Sequence, residues 1–206
     1  MRKIVFAAIS FIFAAVIFSA CSRVQVDTSS FKEGDIIFQN NKAKSKDLLA
    51  FLSNTTYNNA GILFVKNGRW YVLDAAKSVQ LTPLKKWVKE GVDHSFVVKR
   101  LKDGMSQEAV EKMRSLSAEY LGKPYDQKYE WSDKAFYSSE LVWKMFDAAL
   151  GVKLSDLRTF SEFNFSDENV KRAMQEVFGN DIPVYEQIVT PADIYNSNML
   201  EIIVQK

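Results

Sequence analysis

Apolar residues along this chain come in two patterns, and each predicts a kind of element. Short apolar runs bounded by turn residues predict strands: Ile36-Ile37-Phe38-Gln39 after the Gly34-Asp35 turn, Ala60-Gly61-Ile62-Leu63-Phe64-Val65 after Tyr57-Asn58-Asn59, and Arg69-Trp70-Tyr71-Val72-Leu73-Asp74-Ala75. The last two are separated by Asn67-Gly68, a strong hairpin signal. Val79-Gln80-Leu81, Phe96 to Leu101 and Leu200 to Val204 read as further strands. Helical periodicity appears in Ser106 to Leu121, where Val110, Met113, Leu116 and Tyr120 recur at three- and four-residue steps. It returns from Ser138 to Leu150, where Leu141, Val142, Met145 and Phe146 share a face. Shorter helices are predicted for Ser45 to Leu52 with Ser45 as N-cap, for a segment opening at Thr82-Pro83, and for Asp167 to Phe178 on the surface. Phe160-Ser161-Glu162-Phe163 reads as an aromatic loop. Strands, then helices, then a strand imply an α+β domain with a small antiparallel sheet or barrel packed on helices.

The N-terminus departs from these patterns. Met1-Arg2-Lys3 precedes an apolar stretch from Ile4 to Phe18 that ends in Ser19-Ala20-Cys21, which fits a secretory signal better than a spanning helix of about 20 residues. The chain's single cysteine stands at the expected cut, as in a bacterial lipoprotein leader, where it becomes the lipidated N-terminus. A retained anchor helix, or a cleaved signal with Cys21 incidental, are the alternatives. Residues 1–20 are thus expected to be a leader, 21–33 a tether and 34–206 one domain. With Ser22 rather than Asp after the cysteine, the outer membrane is the expected location in a Gram-negative cell.

Two hundred and six residues, 47% hydrophobic, suffice for one globular domain. Removing Arg2 and Lys3 with the leader leaves 25 basic against 25 acidic residues. No basic run suggests nucleic acid. One cysteine excludes an intramolecular disulfide framework and a cysteine-rich metal site, and one histidine, His94, leaves little for zinc. No metal and no cofactor are expected, and a monomer is.

The candidate chemistry lies around Ser138. A Pro-containing aromatic loop, Gly122-Lys123-Pro124-Tyr125-Asp126, leads through Trp131 and Phe136-Tyr137 into the buried helix that begins at Ser138. The first turn of a helix carries unpaired N–H groups and the positive end of the dipole, so it favours an anion and lowers the pKa of a thiol placed there. Plainer roles are open as well: Ser138 as an N-cap, Asn58-Asn59 as a turn, and Tyr125, Tyr129, Trp131, Phe136 and Tyr137 as core packing.

Eight short markers in order bear on the choice: Gly34 to Gln39, Tyr57 to Ile62, Val72 to Ala75, Thr82-Pro83-Leu84, Val98 to Leu101, Gly122 to Asp126, Tyr137-Ser138-Ser139-Glu140-Leu141-Val142 and Val189-Thr190-Pro191. From about Phe31 to the C-terminus the chain resembles the permuted papain-like family, in its YiiX-like branch, related to NlpC-type envelope peptidases and lecithin:retinol acyltransferase. The resemblance implies a circularly permuted papain-like fold. It implies a cysteine nucleophile at the helix start, a histidine base at the start of the second strand and an orienting polar residue on the third. Position by position these fall on Ser138, Asn59 and Asp74, with Tyr125 and Tyr137 as substrate-binding neighbours. Two of the three are not the family's residues. Serine needs a base to remove its proton, and an amide has no accessible basic pKa. Losing a nucleophile or its base in a comparable triad costs roughly a million-fold in turnover. The expectation is therefore an envelope lipoprotein built for amide or ester acyl chemistry on a peptidoglycan peptide or lipid but inactive as written. The alternative is a binding module that holds a muropeptide or acyl ligand in the same cleft. A hydrolase using Ser138 with Asp74 or a tyrosine is a third reading.

Overall fold

The computed structural model describes residues 24–44, 47–53 and 55–206. The expected leader, with Cys21, and the expected cap Ser45 lie outside those residues.

The longest apolar runs become the middle of a six-stranded antiparallel sheet. Its strands are β1 (Ile36–Gln39), β2 (Asn59–Lys66), β3 (Arg69–Ala75), β4 (Val79–Pro83), β5 (Val97–Leu101) and β8 (Leu200–Gln205), in the order β4-β3-β2-β1-β5-β8. It is thus an open sheet, with β4 and β8 at its edges. β1 is buried along its whole length because both of its faces are covered, so Ile36, Ile37 and Phe38 form a continuous apolar run instead of alternating with polar residues. Asn67 and Gly68 both have positive φ, 51° and 69°, as the tight turn between β2 and β3 requires.

The parity of the strands sorts the core into two layers. Ile36, Phe38, Ala60, Ile62, Phe64, Leu73 and Ala75 face a helical layer, whose centre is α4 (Ser138–Leu150) with Leu141, Val142, Met145 and Phe146. On the other side Ile37, Leu63, Val72 and Val98 meet Leu84, Trp87 and Val88 of α2 (Leu84–Glu90), together with Phe31 and Phe96. Around α4 lie α1 (Leu48–Leu52), α3 (Gln107–Tyr120), α5 (Glu168–Phe178), α6 (Pro191–Tyr195) and the ribbon of β6 (Arg158–Thr159) and β7 (Gln187–Ile188). Most helix ends follow the residues that signal them. Ser106 Oγ accepts from the Ala109 N–H at 3.1 Å, Asp167 caps α5, and Gly151 closes α4 at φ +70°.

Two segments differ from the sequence expectation. Thr82 and Pro83 complete β4, opposite Val72 and Tyr71, and the helix begins only at Leu84. Residues 24–33, expected to be a tether, are laid on the sheet. Val24 and Val26 pack on its second face, Phe31 is buried there, and Arg100 Nη2 donates to Ser30 O at 2.7 Å. Two valines and one phenylalanine in a polar stretch carry no periodicity, so only the sheet reveals where they go.

Candidate active site

α4 is capped by its own first turn. The Tyr137 N–H donates to Glu140 Oε2 at 3.3 Å, and the Leu141 N–H bonds Tyr137 O at 3.0 Å. Glu140 is fully buried, and burial raises its pKa to about 8 although Lys144 Nζ lies 3.0 Å from Oε1. Ser138, the first residue of the helix, is 0% exposed, and its Oγ has no hydrogen-bond partner.

The aromatic loop ties that helix start to the ends of β3 and β4. Gly122, at φ +86°, donates its N–H to Val79 O at 2.9 Å, and the Tyr125 N–H bonds Lys77 O at 3.1 Å. On the other side the Phe136 N–H reaches Pro124 O and the Asp126 N–H reaches Phe136 O, each at 3.1 Å. The turn after Asp74 and Ala75 and the residues before Ser138 are therefore stitched to one loop.

Asn59 and Asp74 occupy the ends of their strands at this side of the sheet and are 2% and 3% exposed. Gly61 makes room for the pair of strands: a Cβ there would stand 2.4 Å from Val72 Cγ1 and 3.6 Å from Asp74 Cβ. Asp74 Oδ1 accepts from Thr82 Oγ1 at 2.9 Å, and Thr82 Oγ1 in turn accepts from Gln80 Nε2 at 3.1 Å. The Gln80 bond fixes the direction of the Thr82 proton. Burial raises the Asp74 pKa to about 6, with the Thr82 bond and the Lys44 charge opposing the shift.

No hydrogen bond joins Ser138, Asn59 and Asp74 to one another. Asn59 is instead taken by a residue that the pattern of the sequence did not single out. Lys44 Nζ donates to Asn59 Oδ1 at 2.9 Å and to Ala75 O at 3.0 Å, and it lies 5.1 Å from the centre of the Tyr125 ring. Burial of this ammonium lowers its pKa, while Asp74, Asp47 and Glu90 act in the opposite direction. In the sequence Lys44 is one of three alternating lysines, with Lys42 and Lys46, in a polar run that reads as solvated. Nothing there distinguishes it. Thr82 and Gln80 had a weak signal, since they alternate on a strand adjoining Asp74.

The two tyrosines expected at a ligand surface are inward. Tyr137 is completely buried, and its hydroxyl accepts from the Val189 N–H at 3.2 Å, so it props the β7–α6 segment against α4 and presents no surface to a ligand. Tyr125 is half-buried, its hydroxyl is buried without a partner, and burial raises its pKa well above the ordinary value. Trp131 packs edge-on against Trp143, and Phe136 lies beside Tyr120. His94 is exposed on a 3-10 turn at Val92–His94.

The fold agrees with comparison to known proteins. Residues 30–204 match the family described as permuted papain-like amidase enzyme, YaeF/YiiX, C92 family. The chain belongs to that family. It is 34% identical over 173 residues to the YiiX protein of Escherichia coli strain K12, covering 84% of this chain and 86% of that protein. The crystal structure of YiiX from Escherichia coli O157:H7 superposes with a TM-score of 0.81 at 33% identity, over 85% of this chain and 97% of that one. In keeping with a permuted papain-like fold, α4 follows the five strands β1 to β5 in the chain. That neighbour is described as a metalloprotein; among the described residues of this chain no group of three or more His, Cys, Asp or Glu side chains is placed to hold a metal ion.

Proposed function

We propose that this chain is an envelope lipoprotein that keeps the family's site for amide or ester acyl chemistry on a peptidoglycan peptide or lipid, but cannot run a cysteine–histidine reaction there. Ser138 stands at the nucleophile's place, Asn59 at the base's and Asp74 at the orienting position. The observation that carries this reading is the bonding of Asn59: its amide oxygen is occupied by Lys44, and Ser138 Oγ has no acceptor. An amide oxygen that accepts from Lys44 Nζ removes no proton. A second reading, a module that binds a muropeptide or acyl ligand without turnover, is favoured by the lack of a hydrogen bond joining Ser138, Asn59 and Asp74. Incubation with a peptidoglycan digest and with acylated lipid at pH 7 tests both. Retention without cleavage supports the binding module, absence of both supports a silenced site, cleavage lost in Ser138→Ala shows the site working without the cysteine–histidine pair, and cleavage that persists in Ser138→Ala sinks the site reading. Anchoring is tested separately: Cys21→Ala is expected to abolish lipid labelling and membrane sedimentation, and unchanged sedimentation would refute the lipoprotein reading.

A further inference from the structure

We propose that Lys44, held by Asn59, is the proton acceptor for Ser138, so that the site is arranged for serine–lysine acyl transfer to an ester or amide. This rests on reading Ser138 and Asn59 as the reacting end of the cleft. It goes beyond that reading by giving the site a base.

The valence of the amine supports it. A neutral lysine has two N–H donors and one lone pair, and Lys44 Nζ makes two donor bonds, to Asn59 Oδ1 and Ala75 O. Both N–H groups of the neutral form are satisfied and its lone pair is free. As an ammonium ion the same group has a third N–H with no acceptor among the described residues. Ser138 Oγ is the complement, a buried hydroxyl with no acceptor for its proton. The Tyr125 loop connects the two, since Lys44 Nζ stands over the Tyr125 ring and Tyr125 pairs with Phe136, two residues before Ser138. Burial also moves Lys44 toward its neutral form, against the carboxylates of Asp74, Asp47 and Glu90 that face it. On this view Asn59 orients the amine and is a positioning residue. Lys44 and Ser138 are not hydrogen-bonded in this geometry; contacts of this kind commonly close only when substrate is bound.

The chemistry balances without a further reagent. The Ser138 Oγ–H proton passes to the Lys44 lone pair as Oγ bonds to the acyl carbon. Lys44 then returns that proton to the leaving alcohol or amine as its bond to the carbon breaks, and water, deprotonated by the same amine, releases the acid from Oγ.

Diisopropyl fluorophosphate, a small probe that phosphorylates an activated serine with loss of fluoride, tests the assignment on the full chain by intact mass and peptide mapping between pH 6 and 10. The expected result is modification at Ser138 that rises with pH and levels off below about 10.4, the ordinary lysine value. Lys44→Met and Lys44→Arg should slow it by about a hundredfold or more, the low end of what a positioned base contributes. Arginine keeps the charge but cannot give up its proton, so Lys44→Arg carries the comparison if Lys44→Met does not fold by circular dichroism. Equal labelling of Ser138 in Lys44→Arg overturns the role of Lys44. If the chain is not labelled, while Ser138→Cys with Asn59→His in a Cys21→Ala background is alkylated by iodoacetamide faster than Ser138→Cys alone, the site reading stands and the lysine assignment falls. If residue 138 reacts with neither probe, both fall.

Discussion

Replacing Asp74 by Asn tests the electrostatics of the site at a single carboxyl group. Asp74 is buried, its one side-chain hydrogen bond is to the Thr82 hydroxyl, and its pKa rises from 3.8 to about 6. Because the folded value lies above the unfolded one, the native state retains a proton between those pH values that the unfolded chain has released. Stability from this group is therefore greatest below pH 3.8 and is lost as the pH rises through 6. A shift of two units and a little more, at 1.36 kcal/mol per unit, amounts to about 3 kcal/mol. Asn carries no charge and keeps an oxygen for Thr82, so the variant escapes that loss. The figure is a net one, since the attraction of Lys44 and the Thr82 bond already oppose the shift. Urea unfolding of both chains between pH 3.5 and 8 provides the measurement. Subtracting one from the other removes Glu140, which titrates in both. The difference should be near zero at the acid end and favour the variant by up to about 3 kcal/mol above pH 7. A difference independent of pH, or a variant less stable than the parent at pH 8, would refute the argument.

Three other predictions follow from the same geometry. In a Cys21→Ala background, Ser138→Cys with Asn59→His should be alkylated near pH 6 faster than Ser138→Cys alone; adding Lys44→Met should raise the rate again by removing a like charge from beside the imidazole, and a rate unchanged or lowered by that third replacement would refute this effect. Gly61→Ala places a methyl group 2.4 Å from Val72 Cγ1 and 2.8 Å from Leu73 O, so a loss of about 1–3 kcal/mol in urea unfolding is expected, and wild-type stability would contradict the packing. Asp35 is buried and accepts from Arg100 Nε at 2.7 Å and Nη2 at 2.8 Å, so Asp35→Ala leaves a charge without its partner and should cost about 3–5 kcal/mol by the same assay. A loss under 1 kcal/mol, on the order of an exposed pair, would show that the ion pair is solvated.

The sequence by itself determined the elements whose signals are local. β2 and β3 follow from apolar runs around Asn67-Gly68, α3 from its periodic face, and α4 from its apolar face and the stop at Gly151. The permuted papain-like fold was legible through the family resemblance that the ordered short markers carry, since such markers are local in the chain and need no knowledge of packing. The positions of Asn59, Asp74 and Ser138 at element ends were legible for the same reason. Tertiary structure alone decided what those side chains touch. Lys44 stands 15 residues from Asn59 in the chain, within a lysine-rich run whose members are chemically alike, and only folding buries one of their ammonium groups against Asn59 Oδ1 and Ala75 O. The inward turn of Tyr137 and the docking of Val24, Val26 and Phe31 were equally hidden. An aromatic or aliphatic side chain reads the same in sequence whether it meets a ligand, a tether's solvent or a sheet. Burial and hydrogen-bond pairing depend on residues distant in the chain, so the composition of the site became visible only with the fold.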